Sequence, residues 1–100
     1  MSQKVEDALN RIKTHKGVQG CMIVNPKGIA LKTTMKTDET IEYGSLIAQF
    51  TNKAINFIDS LHKGQEVTFI RIRSKKHEIM IAPEKEFSLI VIQNPSNDEM

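Results

Sequence analysis

The stretch Phe87–Pro95, FSLIVIQNP, decides which fold the chain adopts. As a strand it places Leu89 and Val91 on one face and Ile90 and Ile92 on the other, because successive side chains alternate. Both faces are apolar, and a strand of this kind is covered on both sides. We therefore expect this strand at the centre of a sheet, with a helix on each face.

The rest of the chain supplies two helices and four further strands. Apolar periodicity, turn residues and helix-ending glycines set their bounds. The predicted elements are a helix Ser2–Lys16, strands Val18–Asn25 and Ile29–Met35 around the turn NPKG, a long helix from Thr37 or Asp38 to the glycine at 64, and strands Glu66–Arg73, Glu78–Pro83 and Phe87–Gln93.

The polarity of each strand predicts its place in the sheet. The first and fifth strands are the most continuously apolar and are expected at the centre. The second strand is polar and the third carries arginines, so both are expected at the edges. The prediction is an α+β fold with an antiparallel sheet in the order 2-1-5-4-3, the short helix on one face and the long helix on the other. Residues 1–96 form one domain and residues 97–100 a flexible tail.

Composition favours one soluble globular domain. The chain has 100 residues, 39% hydrophobic and 26% charged, with a net charge of +2. This charge is too small to favour a nucleic-acid partner. The acidic N-terminus does not resemble a signal peptide, and no run approaches the roughly 18 apolar residues of a membrane helix. A single cysteine excludes an internal disulfide and is typical of a reducing compartment.

No residue pattern predicts catalysis, a metal site or a cofactor. Cys21 lies inside an apolar strand, where a small buried side chain is the usual role of a cysteine. The three histidines lie near predicted element ends, and none has a second ligand at metal-binding spacing. The glycines form no phosphate loop. We therefore expect a protein that is not an enzyme.

The basic cluster RIRSKKH, residues 71–77, allows two interpretations. It is either a grip for nucleic acid or anionic lipid, or a solvated turn beside a charge-protected edge strand. No aromatic side chains interleave with it, as single-stranded nucleic-acid binding would require. We favour the solvated turn and expect neither nucleic-acid binding nor membrane insertion.

The long helix carries more apolar surface than a helix on a sheet needs. One stripe has near-heptad spacing, which is typical of helix–helix contacts. Core packing on the sheet alone remains the alternative. The stripe comprises Tyr43, Ile47, Phe50, Ala54, Phe57 and Leu61, and a second set, Leu46, Ile55 and Ile58, lies beside it.

Two blocks of the sequence resemble the roadblock-type dynein light chains: HKGVQGCMIVNPKGIALKTTM, ending at Met35, and TFIRIRSKKHEIMIAPEKEFSLIVIQNP, ending at Pro95. The resemblance implies a homodimer with antiparallel long helices and a continuous ten-stranded sheet. It implies a non-catalytic subunit that binds the dynein intermediate chain and supports motor assembly and cargo attachment on microtubules, in the cytoplasm or in a cilium or flagellum. The wider superfamily includes scaffolds and regulators of small GTPases, which is the alternative function. A small GTPase or a cargo adaptor is the alternative partner. Cytoplasmic or axonemal dynein, the particular intermediate chain and cargo, the sheet face that binds the partner, and a homodimer or a heterodimer with a paralogue all remain open.

Two sets of site residues follow from the predicted fold and this resemblance. The stripe and the third strand are expected to form the dimer interface, and an apolar strip beside the first helix is expected to bind an intermediate-chain helix. The predicted dimer residues are Tyr43, Ile47, Phe50, Ala54, Phe57, Leu61, Val67, Phe69 and Arg71, and the predicted partner-binding residues are Val5, Leu9, Ile12, Met80, Ile90 and Ile92.

Overall fold

The computed structural model describes residues 3–95 as two helices and five strands. The five-stranded sheet has the order β2-β1-β5-β4-β3 and is antiparallel throughout, which confirms the predicted topology. The predicted start of the first helix at Ser2 and the predicted tail 97–100 lie outside the described residues. The elements are α1 Gln3–Ile12, β1 Val18–Val24, β2 Ala30–Thr33, α2 Thr37–Leu61, β3 Ile70–Arg73, β4 Glu78–Pro83 and β5 Ser88–Gln93.

The larger core lies between the sheet and α2. Ile90 of β5 is directly opposite Met22 of β1 and Ile81 of β4, and all three side chains are fully buried. Ile47 of α2 packs onto this cluster, which also includes Val24 and Ile92. Burial of large aliphatic side chains is the main stabilising term of such a domain.

A smaller core lies on the opposite face, under α1. Leu9 packs onto Cys21, Ile23 and Val91, and each of these is buried. Helix α1 contacts mainly β1. Because the sheet continues through β5 and β4 to β3, residues 3–95 place no helix over the far part of this face.

Helix α1 is shorter than its sequence pattern predicts and ends at Ile12 rather than near Lys16. After the bond from the Lys13 amide to the Leu9 carbonyl, the next two bonds span only three residues each, from His15 to Ile12 and from Val18 to His15. Gly17 then adopts a φ of 91°, a conformation that glycine reaches without a steric penalty. The predicted glycine stop is therefore separated from the helix by a turn.

Strand β3 begins at Ile70, four residues later than predicted. Ile70 pairs with Ile81, so the same register places Thr68 opposite Pro83. Proline has no backbone N–H and cannot donate to the ladder. Residues 66–69 therefore continue without strand pairing to β4.

The β1–β2 turn packs against α2 through two glycines. Gly28 has a φ of 88°. A Cβ atom on Gly44 of α2 would lie 2.6 Å from the Gly28 carbonyl oxygen, and one on Gly28 would lie 2.8 Å from the Gly44 carbonyl oxygen. Both positions thus require glycine, because a methyl group would displace backbone.

Gly44→Ala is expected to destabilise the protein by about 1–3 kcal/mol, the usual cost of overpacking. Helix propensity alone predicts the opposite sign, a gain of about 1 kcal/mol. Urea unfolding measures the difference, with Ser60→Ala, an exposed serine on the same helix, as the control. A variant more stable than the parent would contradict this close backbone contact.

Candidate protein-binding surfaces

Helix α2 exposes large apolar side chains along one side, next to the side that packs on the sheet. Phe50 is 44% exposed and Phe57 is 62% exposed, and Leu46 and Leu61 are exposed with them. These four residues, here called the α2 outer face, lie on one side of a single helix at steps of four, seven and four. A contiguous apolar surface of this kind marks a protein-interaction site.

The predicted dimer stripe divides between this outer face and the core. Phe50, Phe57 and Leu61 are exposed, whereas Tyr43 and Ala54 are half-buried. The placement of Ile47 on a dimer surface is wrong, because its side chain is only 8% exposed and belongs to the core under α2. Its helical position, three residues after buried Gly44, turns it toward the sheet.

The predicted edge residues lie next to the α2 outer face. Val67 and Phe69 precede β3, and Arg71 lies within it. A cavity of about 500 Å³ separates the C-terminal half of α2 from residues 66–71, with Ala54, Phe57 and Val67 among its lining side chains. Among the described strands β3 is one edge of the sheet, so its outer backbone groups are accessible for pairing with another chain.

An apolar groove lies beside α1 on the other face of the sheet. It has a volume of about 220 Å³. Its floor is formed by side chains of β4 and β5, and His15 and Gln93 add polar groups at one end. This first-helix groove is lined by Ile12, His15, Val18, Phe69, Met80, Ala82, Leu89, Val91 and Gln93.

The structure divides the predicted partner-binding residues between the two faces. Ile12 and Met80 line the groove, whereas Leu9 is buried beneath α1. The side chain of Val5 lies outside those described. The placement of Ile90 and Ile92 on this surface is wrong, because both are buried on the α2 side of the sheet.

Strand register explains that error and identifies the correct groove residues. Met80 pairs with Val91, so these two side chains share a face, and Leu89 shares it too. Counting outward from the Pro83–Ser88 pair at the short β4–β5 turn gives the same assignment from sequence alone. Val18, Phe69 and Ala82 also line the groove but were not among the predicted partner-binding residues. Their presence there depends on how the strands are placed relative to α1.

A buried carboxylate organises the charged residues of β3. Glu78 has no exposed surface. Its Oε2 accepts hydrogen bonds from Arg71 Nε at 2.8 Å and Arg73 Nε at 2.9 Å, and its Oε1 accepts one from Gln93 Nε2 at 2.6 Å. The hydrogen bonds from Arg71, Gln93 and Arg73 lower the pKa of Glu78 to about 2. The two arginines therefore hold a buried acid, which the interpretation of residues 71–77 as a solvated turn missed.

Glu78→Gln is expected to remove part of the pH dependence of stability. The folded-state pKa is below the 4.5 of an ordinary glutamate, so the carboxylate stabilises the fold fully above about pH 4.5 and loses this effect as the pH falls toward 2. The parent protein should therefore lose more unfolding free energy than Glu78→Gln between pH 5 and 3. Denaturant unfolding at several pH values measures it, with exposed Glu84→Gln as the control. Equal slopes for parent and Glu78→Gln would contradict this role.

The lysines of the same cluster are exposed and are expected to matter little for stability. Lys75 and Lys76 lie in the β3–β4 turn. Replacing both with alanine should change the free energy of unfolding by about 0.5 kcal/mol or less, as at ordinary exposed sites. Urea unfolding checks this, and a variant that fails to fold would show that the turn is not simply solvated.

The described residues contain no arrangement that resembles a catalytic or metal centre. Within residues 3–95, no group of His, Cys, Asp or Glu side chains is placed to hold a metal ion. Cys21 is fully buried, and burial raises the pKa of its thiol, which disfavours the reactive thiolate. Neither described helix is long and apolar enough to cross a membrane.

A known domain family and several solved structures match this arrangement of helices and strands. The family model described as Roadblock/LC7 domain matches residues 4–94. The Roadblock/LC7 domain from Streptomyces avermitilis has a TM-score of 0.79 at 8% identity, covering 85% of this chain and 72% of that one. MglB from Myxococcus xanthus has a TM-score of 0.73 at 16% identity, covering 92% and 76%. The gliding protein MglB from Thermus thermophilus has a TM-score of 0.77 at 10% identity, covering 92% and 72%. At these identities the solved structures share the fold alone.

Proposed function

Because the chain belongs to the Roadblock/LC7 domain family, we propose that it is a non-catalytic, homodimeric adaptor that scaffolds or regulates a small GTPase. The observation that supports an adaptor is the presence of two separate apolar surfaces on opposite faces of one sheet. The α2 outer face suits a second copy of the chain, and the first-helix groove suits a different protein. Two such surfaces would allow the protein to hold a second copy of itself and a different partner at the same time.

The α2 outer face and the edge of β3 favour one self-association interface. They are adjacent, because the cavity between them is lined by Phe57 and Val67 together. A two-fold axis beside β3 would pack the two α2 helices antiparallel and pair the two β3 strands. This arrangement would bury the exposed apolar side chains and satisfy the edge backbone groups at once.

A small GTPase is the favoured class of partner. The superfamily that the sequence resembles includes scaffolds and regulators of these proteins. Two of the solved structures with this fold are MglB proteins, and one of these is a gliding protein. The support for this class of partner comes from the family to which the chain belongs, and it does not identify a particular GTPase.

A dynein light chain is the second candidate. Residues 15–35 and 68–95 resemble the roadblock-type dynein light chains over two long blocks. In that case the partner is the dynein intermediate chain, and the protein acts at microtubules in the cytoplasm or in a cilium or flagellum. An amphipathic intermediate-chain helix would then occupy the first-helix groove.

Affinity purification separates these candidates. The tagged full chain is incubated with cytosol containing either GDP or a non-hydrolysable GTP analogue, and bound proteins are identified by mass spectrometry. Capture of a small GTPase in one nucleotide state supports the first candidate. Capture of a dynein intermediate chain without a GTPase overturns it in favour of the second. A Met80→Arg variant, matched with Lys85→Arg on the exposed β4–β5 turn, reports whether capture uses the groove.

A further inference from the structure

The two ends of the first-helix groove carry opposite charge. Val18, Gln93, Glu78 and Arg73 form one row across the end of the sheet, so the α1–β1 connection and the β3–β4 turn lie at this same end. Exposed lysines of those two segments, Lys16, Lys75 and Lys76, surround this end. It is called here the basic end of the groove.

The opposite end is acidic. Ala82, Leu89 and Phe69 line the groove there. The neighbouring β4–β5 turn contributes Glu84 and Glu86, with Lys85 between them, and all three side chains are exposed. The two ends of the groove therefore differ in charge, although the side chains that line it are mostly apolar.

Glu78 offsets the charge of only one of its two arginines, so the basic end remains positive. Both of its carboxylate oxygens accept hydrogen bonds from Arg71, Arg73 and Gln93, and the carboxylate has no contact with solvent. Asp98 and Glu99 follow in the sequence, outside the described residues. If these two acids are counted together with Glu78, three acids stand against the three lysines and two arginines of this end.

The dimensions of the groove suit one helix. Five strands at about 4.8 Å spacing make a sheet roughly 24 Å wide, and a helix with its side chains is about 10 Å across. Since α1 lies over β1 and packs onto Val91 of β5, the part over β4 and β3 has room for one more helix. Its partly exposed floor includes Met80, whose flexible thioether adapts to different partners.

We propose that the first-helix groove selects an amphipathic helix of a partner protein with acidic side chains clustered at one end, and that this end lies against Lys75 and Lys76. The proposal rests on the proposed function only in that the groove binds a partner, and not on which partner it is. Complementary charge orients the helix and accelerates its association. The apolar stripe of the partner helix fills the groove, and the charges determine which end of that helix lies at the basic end.

Two synthetic peptides test the selection. Both are 18-residue amphipathic helices with the same leucine stripe, one with four glutamates in its last turns and the other with four glutamines there. Each is titrated by calorimetry into the full chain, into Lys75→Glu/Lys76→Glu, and into Lys85→Glu at the other end. At low salt the glutamate peptide should bind the parent about tenfold or more tighter, a modest electrostatic effect. This advantage should vanish in the double variant and at 0.5 M salt, and Lys85→Glu should preserve it.

Each other outcome overturns the proposal. Equal affinity of the two peptides for the parent would show that the groove does not select charge. The double variant could also bind both peptides more weakly by the same factor, with an unchanged midpoint of denaturant unfolding. This result would show that the turn affects binding without pairing with the glutamates. Binding of neither peptide would remove the groove as a helix site. The adaptor function would survive that result if affinity purification still captured a GTPase, so the two failures are distinguishable.

Discussion

Phe50→Asp should convert the protein from a dimer to a monomer. Phe50 lies in the middle of the α2 outer face, and in an antiparallel pair of α2 helices an aspartate there would be buried without a cation. An unpaired buried charge costs about 3–5 kcal/mol. This corresponds to a loss of association of roughly 100-fold or more, since about 1.4 kcal/mol is tenfold.

Sedimentation equilibrium at micromolar concentration measures this effect. The parent is expected at twice the chain mass of 11.3 kDa and Phe50→Asp at 11.3 kDa. Asn56→Asp, which adds the same charge at an exposed polar position of α2, should remain dimeric. Unchanged circular dichroism would show that Phe50→Asp remains folded. A parent protein that sediments as a monomer would refute the homodimer itself.

Ile90→Ala should lower the free energy of unfolding by about 2–5 kcal/mol, the usual cost of truncating a buried isoleucine. Ile90 has no exposed surface and lies between Met22 and Ile81 under α2. The surrounding strands are fixed by their ladders and cannot collapse into the space. Urea or thermal unfolding measures the loss.

Met80→Ala is the matched control on the other face of the sheet. Met80 is half-buried in the groove, so its truncation should cost less stability than that of Ile90. It should instead weaken binding of a helical peptide to the groove, whereas folded Ile90→Ala should bind normally. A cost below about 1 kcal/mol for Ile90→Ala would contradict its place in the core, because that is less than the range for such truncations.

The sequence predicts the topology well because strand polarity and turn length are local properties. The apolar runs at Cys21–Val24 and Leu89–Ile92 require central strands, and this placement is confirmed. The predicted length of β3 was wrong, because that length depends on a proline in the opposite strand, Pro83. Hydrogen-bond pairing between strands depends on the residues of both strands. The apolar periodicity of one strand contains no information about the residues of the other.

The candidate surfaces are less predictable for the same reason. The exposed positions of α2 follow from helical spacing, but Ile47 lies close enough to the sheet side of the stripe to be buried. The burial of Glu78 depends on two arginines from a neighbouring strand and on Gln93 from another. No property of residue 78 alone distinguishes this carboxylate from exposed Glu84.

The Glu78 cluster also bears on the fidelity of assembly. If β3 slipped by one residue along β4, Arg71 and Arg73 would turn toward α2 and leave the buried carboxylate without cations. Such misalignment carries a large electrostatic penalty, so the edge strand has one permitted alignment. In a dimer joined through that edge, both protomers would offer β3 in the same alignment for pairing. A β3 strand with the wrong register would therefore be disfavoured within each protomer, before two copies meet.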